Sequence, residues 1–183
     1  MRIIAGIYGG RRLAAPKGER TRPTADRAKE ALFSILGGLE GAHVLDLYAG
    51  TGAIGLEALS RGAARAVFVE KARPALEALD ENLRALGIDG EAAKVLRLDV
   101  GRALKVLAED ERFDLIYADP PYELARTALP EVLGFATRGL SETGRLVLEH
   151  RHLDPSPAAP PGLALTDQRR YGEATLAFYG RST

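Results

Sequence analysis

The chain contains no cysteine and no tryptophan, and only one methionine and three histidines. Without cysteine it has no disulfide, no thiolate metal site and no thiol nucleophile. His43, His150 and His152 lack metal-ligand spacing, so no metal site is expected. No apolar run approaches the roughly 20 residues that cross a bilayer. The start, Met1-Arg2-Ile3-Ile4-Ala5-Gly6, lacks the apolar stretch and small-residue cleavage site of a signal peptide. A cytoplasmic protein without membrane association is the expectation, with a monomer as the default. Internal repeats and low-complexity tracts are also missing. The 183 residues suit a single domain, 1–183, large enough to bury about 70% of its unfolded surface.

Net charge is zero but unevenly spread. Residues 1–30 hold eight bases and three acids, a net of +5, which leaves −5 on the remainder. A basic arm on an acidic body is a footprint of nucleic-acid binding. A solvated basic surface would look the same by charge alone. Residues 1–22 therefore read as a basic extension. Ile3–Tyr8 and Arg11–Leu13, separated by Gly9-Gly10, predict a small β-hairpin.

Ala28, Ala31, Leu32, Ile35 and Leu36 recur at helical spacing, with Thr24 as candidate cap and Gly37-Gly38 as the stop. From residue 43 short apolar strands alternate with helical patterns. Strands are expected at 44–48, 65–70, 94–98, 113–118 and 145–149, and helices at 53–60, 74–86, 102–108 and 124–137. A proline-rich loop at 152–162 precedes two last strands at 163–168 and 174–179. This pattern predicts an α/β fold with a seven-stranded, mostly parallel sheet covered on both faces.

In such a sheet ligands bind beyond the carboxyl ends of the strands. Four acidic or glycine-rich segments stand there: Asp46 to Gly52, Glu70, Asp99, and Asp119-Pro120-Pro121-Tyr122. Gly50, Gly52 and Gly55 match the spacing of a dinucleotide loop. Asp46 just ahead disfavours a pyrophosphate and welcomes a cationic or amino-bearing ligand. Glu70 could accept two ribose hydroxyls. Asp99 could accept the exocyclic N–H of adenine, or simply cap the next helix. In Asp119-Pro120-Pro121-Tyr122, the prolines remove two N–H donors. The Asp119 carboxylate and the Pro120 carbonyl could then hold both hydrogens of an amine, with Tyr122 stacked on the planar base that carries it.

With these residues assembled, the chain resembles the Rossmann-like class I methyltransferases. Within them it resembles the RsmD family, the 16S ribosomal RNA guanine-N2 methyltransferases. Arg2-Ile3-Ile4-Ala5-Gly6 with Gly10-Arg11-Arg12-Leu13 carries this, as does Arg22-Pro23-Thr24-Ala25-Asp26-Arg27 with Glu30-Ala31-Leu32-Phe33. The run from Asp46 to Ala63, the Asp119–Tyr122 tetrapeptide and Arg170-Tyr171-Gly172 complete it. The resemblance implies S-adenosyl-L-methionine as cofactor, held by Asp46, Tyr48, Gly50, Thr51, Gly52, Glu70, Lys71, Asp99, Val100 and Asp119. It implies a catalytic set of Asp119, Pro120 and Tyr122. The implied partner is 16S rRNA within the assembled small ribosomal subunit, gripped by Arg11, Arg12, Lys17, Arg20, Arg22 and Arg27.

Other readings are weaker. A DNA adenine-N6 methyltransferase usually needs a separate recognition region, for which the chain has no room. A glutamine methyltransferase commonly has Asn in place of Asp119. A non-catalytic RNA-binding module would not need acids at every strand end, and a nicotinamide-dependent dehydrogenase would not want Asp46.

Overall fold

A computed structural model describes residues 1–16, 23–107 and 111–182; the side chains of residues 23–26 lie outside that description. Its elements are α1 (Pro23–Leu36), β1 (His43–Leu47), α2 (Ala53–Ser60), β2 (Arg65–Val69), α3 (Arg73–Leu86), β3 (Ala93–Leu96), α4 (Val100–Val106), β4 (Phe113–Ala118), α5 (Tyr122–Gly139), β5 (Leu140–Arg151), β6 (Leu163–Tyr171) and β7 (Ala174–Arg181). The strands form one sheet in the order β3-β2-β1-β4-β5-β7-β6. β1 to β5 pair in parallel, whereas β7 runs antiparallel to β5 and to β6. The order of the chain reverses between β1 and β4, so the crevice expected of an open α/β sheet opens there.

Alternation along each strand decides which layer it serves. Val44, Phe68, Leu115 and Val147 pack with Leu32 and Phe33 of α1, Leu56 of α2 and Leu79 of α3. Leu45, Val67, Ile116 and Leu148 face the opposite way, toward Leu104 of α4 and Val132, Leu133 and Ala136 of α5. Each such side chain contributes about 1.5–3 kcal/mol by leaving water. Because both faces are covered, the strands read as continuous apolar runs.

The expected mixed sheet is present, with shifted boundaries. α1 starts at Pro23, so Thr24 lies inside its first turn rather than capping it. α4 starts two residues early because the Asp99 carboxylate caps it, accepting from the Arg102 N–H at 3.0 Å. α5 runs from Tyr122 to Gly139, longer at both ends than expected, and β5 starts at Leu140 directly after it.

The N-terminal hairpin is shorter than expected. Only one antiparallel bridge forms, Arg2 with Arg12, and the residues between fold into turns. At its base the segment pairs with itself, Ile3 N–H donating to the Arg11 carbonyl, Gly10 N–H to the Ile3 carbonyl and Leu13 N–H to the Met1 carbonyl, while its middle docks on α2. Ile4 and Ala5 N–H donate to the Glu57 carboxylate at 2.7 and 3.0 Å. Tyr8 N–H donates to the Ser60 hydroxyl, which donates onward to the Ala5 carbonyl. Gly6, at φ +84°, passes so close that a Cβ there would sit 1.8 Å from the Ser60 carbonyl oxygen. Backbone groups that a longer hairpin would have paired are paired by α2 side chains.

Candidate functional site

The carboxyl ends of β1, β2, β4 and β5 border a cleft of about 900 Å³. Met1, Ala15, Ala28, Lys29 and Leu32 wall it on the N-terminal side. Six carboxylates line it: Asp46, Glu70, Asp99, Asp119, Glu131 and Glu149. The basic residues in the lining are Lys29 and Lys71, and Lys29 is ion-paired to Glu57 at 3.2 Å. An acidic cleft of this kind attracts cations and amines and repels phosphates.

β1 delivers Asp46 on the face toward α2, where its carboxylate accepts from the Gly55 N–H at 2.9 Å. It is 1% exposed. Burial, partly offset by that hydrogen bond and reinforced by Glu70, raises its pKa to about 7. Asp46 therefore anchors the first turn of α2 as well as charging the cleft floor. Tyr48 follows at φ 60°, the one described non-glycine residue with positive φ. Such strain in a bulky residue gathers at functional turns. Burial and the charges of Glu131 and Asp99 push the Tyr48 phenol above its ordinary pKa.

The three glycines divide their labour. A Cβ on Gly50 would meet nothing within 4 Å, so this position faces open space. Gly52 would collide with Leu79 at 2.4 Å and Gly55 with the Phe68 ring at 2.3 Å. Gly50 thus gives close access to a ligand, and Gly52 and Gly55 serve packing. Glu70 braces the same loop: it accepts from Gly50 N–H at 2.9 Å and from Lys71 and Ala72 N–H at 2.7 Å each. The sequence suggests a carboxylate open to two hydroxyls. Three backbone donors already occupy it, leaving part of its acceptor capacity to the cleft.

Asp119 follows β4, is exposed, and lines the cleft. Desolvation by the protein around it, then the charges of Glu149 and Asp46, push its pKa to about 8. Water in the open cleft tempers this effect, and a planar base that displaces the water would let it act in full. Pro120 is buried, and its carbonyl accepts no hydrogen bond from the described residues. The Pro121 carbonyl is consumed by Leu124 and Ala125 N–H at the start of α5. Tyr122, 52% exposed, stands at the rim with the Arg151 guanidinium 5.1 Å from its ring centroid. Pro120 and Tyr122 are outside the cleft lining, so of the tetrapeptide Asp119 and Pro121 reach the cavity itself.

Several residues of the site are not evident from the sequence. Glu149, on β5 beside Asp119, lines the cleft, and the Tyr117 hydroxyl donates to it at 2.5 Å. Burial raises Glu149 above the usual carboxylate range despite that bond, and raises Tyr117 further still. Asn82 of α3, 2% exposed, accepts from Ala14 N–H at 2.7 Å and donates to the Thr51 carbonyl at 3.0 Å. It ties the N-terminal segment to the glycine loop. Lys71 and Val100 line the cleft beside Glu70 and Asp99.

Among the basic residues, Arg11, Arg12 and Arg27 are exposed, with Arg11 donating to the Ala85 carbonyl at 3.2 Å. Lys17, Arg20 and the Arg22 side chain lie outside the described residues. Lys29, counted with the basic arm by charge, is 5% exposed and serves Glu57 and the Arg2 carbonyl.

Among the described residues no group of His, Cys, Asp and Glu is placed to hold a metal ion, and no helix is long and apolar enough to cross a membrane.

Comparison with known proteins bears on this geometry. A family model described as conserved hypothetical protein 95 matches residues 1–180. A Bacillus subtilis protein named "Putative rRNA methyltransferase YlbH" is 37% identical over 98% of this chain and 98% of its own length. The Escherichia coli ribosomal RNA small subunit methyltransferase D is 32% identical over 99% of this chain and 90% of its own. A solved Escherichia coli structure described as "Putative methyltransferase yhhF" superposes with a TM-score of 0.86, at 29% identity, over 100% of this chain and 98% of that one.

Proposed function

The chain belongs to the conserved hypothetical protein 95 family, the RsmD family, and we propose that it methylates the N2 amine of a guanine in 16S rRNA, using S-adenosyl-L-methionine. The observation that carries this is the acidic cleft at the β1–β4 switch point, with Asp119 in its lining and, next in the chain, the Pro120 carbonyl, which no described donor reaches. S-adenosyl-L-methionine agrees with the methyltransferase relatives. Its sulfonium and ammonium suit six carboxylates, and the open face of Gly50 admits a close backbone approach.

When bound, S-adenosyl-L-methionine supplies an already activated methyl group. Asp46, Tyr48, Gly50, Thr51 and Gly52 would hold its amino-acid end. Glu70 and Lys71 would hold the ribose, and Asp99 and Val100 the adenine. The second oxygen of Asp99 stays available while the first caps α4. Asp119 and the Pro120 carbonyl would hold the two amine hydrogens, aiming the nitrogen lone pair at the methyl. As positive charge grows on nitrogen, the Asp119 carboxylate stabilises it and can take the proton afterwards. Tyr122, backed by Arg151, offers a ring face to the base.

In this reading residues 1–183 form one methyltransferase domain with residues 1–22 as a basic extension. Arg11, Arg12 and Arg27, with Lys17, Arg20 and Arg22, would hold phosphates. The proposed setting is a cytoplasmic monomer acting on the assembled small subunit.

The test is incubation with methyl-labelled cofactor and small subunits from cells lacking the enzyme, then digestion to nucleosides. Label in N2-methylguanosine is the expected result. Label in DNA adenine or in protein instead would overturn the substrate assignment.

A further inference from the structure

Asp119 is not alone at the methyl-acceptor end of the cleft. Ala118 of β4 pairs with Leu148 of β5, so the next residues, Asp119 and Glu149, lie side by side on neighbouring strands. Both line the cleft. Glu149 shares the sheet face of Val147, which packs in the same layer as Tyr117. The Tyr117 hydroxyl donates to Glu149 Oε2, and no described donor reaches Oε1. Tyr117 thus fixes the orientation of a carboxylate that the fold leaves half satisfied. Two adjacent acid groups with spare acceptor capacity and no salt bridge among the described residues make a site for a ligand edge made of donors.

Guanine has such an edge. Its N2 amine carries two hydrogens and the neighbouring N1 carries one, so three N–H donors stand in a row. Adenine places a lone pair at N1 beside its N6 amine. We propose that Glu149 is a specificity-determining residue that accepts the N1–H of the target guanine, while Asp119 and the Pro120 carbonyl hold the N2 hydrogens. This rests on the guanine-N2 reading above and adds to it the means by which the site tells guanine from adenine. A carboxylate facing the adenine N1 lone pair meets acceptor with acceptor, and that mismatch in a dry site rejects the wrong base. Tyr117 is the positioning residue behind Glu149.

The experiment compares target RNA carrying guanine with the same RNA carrying 2-aminopurine at that position. 2-Aminopurine keeps the amine but has a bare N1 acceptor. Transfer is measured as kcat/KM on each RNA by wild type, Glu149→Gln and Tyr117→Phe. Taking the ratio of the two RNAs within each protein removes any dependence on the folded fraction. Wild type is expected to favour guanine by about a hundredfold, the order that one unsatisfied buried acceptor costs. The amide introduced by Glu149→Gln can donate to the bare N1, so this variant should narrow that ratio by about tenfold or more. Tyr117→Phe should narrow it less, by loosening Glu149. Guanine methylated by all three proteins with an unchanged ratio would overturn the role of Glu149 and leave the guanine reading standing. Wild type that methylates neither RNA, though it labels another acceptor, would overturn the guanine reading and this proposal with it.

Discussion

Glu57 and Asp119 are carboxylates of one α/β layer, and the fold gives them opposite proton affinities. Burial alone would raise Glu57, but the Ile4 N–H, Arg61, Lys29 and Ala5 N–H together outweigh it and hold Glu57 below the ordinary carboxylate range. Asp119 meets no such set of donors. Desolvation by the cleft walls and two neighbouring acids raise it to about 8, although it is exposed where Glu57 is buried. The region around Glu57 is complete in itself: its carboxylate fastens residues 4 and 5 onto α2 and pairs with Lys29 and Arg61. The region around Asp119, Glu149 and Asp46 is left short of donors. Structure that only has to persist satisfies its buried charge internally, whereas a binding site leaves the satisfaction to its ligand.

The contrast breaks most sharply at Asp119. Asp119→Ala should cut methyl transfer by about a thousandfold, the cost of losing a positioned electrostatic group, while calorimetry finds cofactor affinity largely retained. Equal loss of both would assign Asp119 to the cofactor instead. Glu57→Gln should act on stability. It breaks the buried ion pair of Glu57 with Lys29, at a cost of about 3–5 kcal/mol, read from the urea midpoint. Transfer per folded molecule should be close to normal.

The two regions should also differ in the sign of their pH dependence. Glu57 is depressed, so its contribution is present above its unfolded pKa and fades as pH falls through the folded value. Asp46 is raised from 3.8 to about 7, so its folded form prefers the proton. Its contribution is full below about pH 4 and is lost as pH climbs toward 7. Asp46→Asn should therefore flatten the decline of thermal stability between pH 4 and 7, a difference of a few kcal/mol across that window. The smallest effect is expected at the arm. Arg11→Ala with Arg12→Ala should lower the salt slope of RNA binding by roughly 0.7–0.9 for each phosphate no longer neutralised. An unchanged slope would make these arginines an ordinary solvated surface.

Much of the fold is legible in the chain itself. Strand–helix alternation and the acids at strand ends place the crevice, because both depend on local pattern. α2 and β4 fall where periodicity puts them. Residues whose roles depend on distant partners are not legible. Glu149 becomes a neighbour of Asp119 only once β5 pairs with β4. Asn82 looks like one polar residue on a helix until the fold brings Ala14 and Thr51 to it. Lys29 counts as surface charge until Glu57, far along the chain, takes it inside. The hairpin is shorter than its sequence suggests for the same reason: residues 1–3 pair with 10–13, but Glu57 and Ser60 take the N–H groups of Ile4, Ala5 and Tyr8 that a longer ladder would have used.

Cleft carboxylates that hold protons tightly until an amine replaces them are central to this mechanism. The most direct measurement is the pH dependence of single-turnover methyl transfer, with cofactor and RNA both saturating. An ionised Asp119 is needed to hold the N2 hydrogens, so the rate should rise with pH. The apparent pKa of the Asp119–Glu149 pair should lie above the ordinary carboxylate range. A rate already at its plateau at pH 5, or a rising profile unchanged in Asp119→Ala, would contradict it.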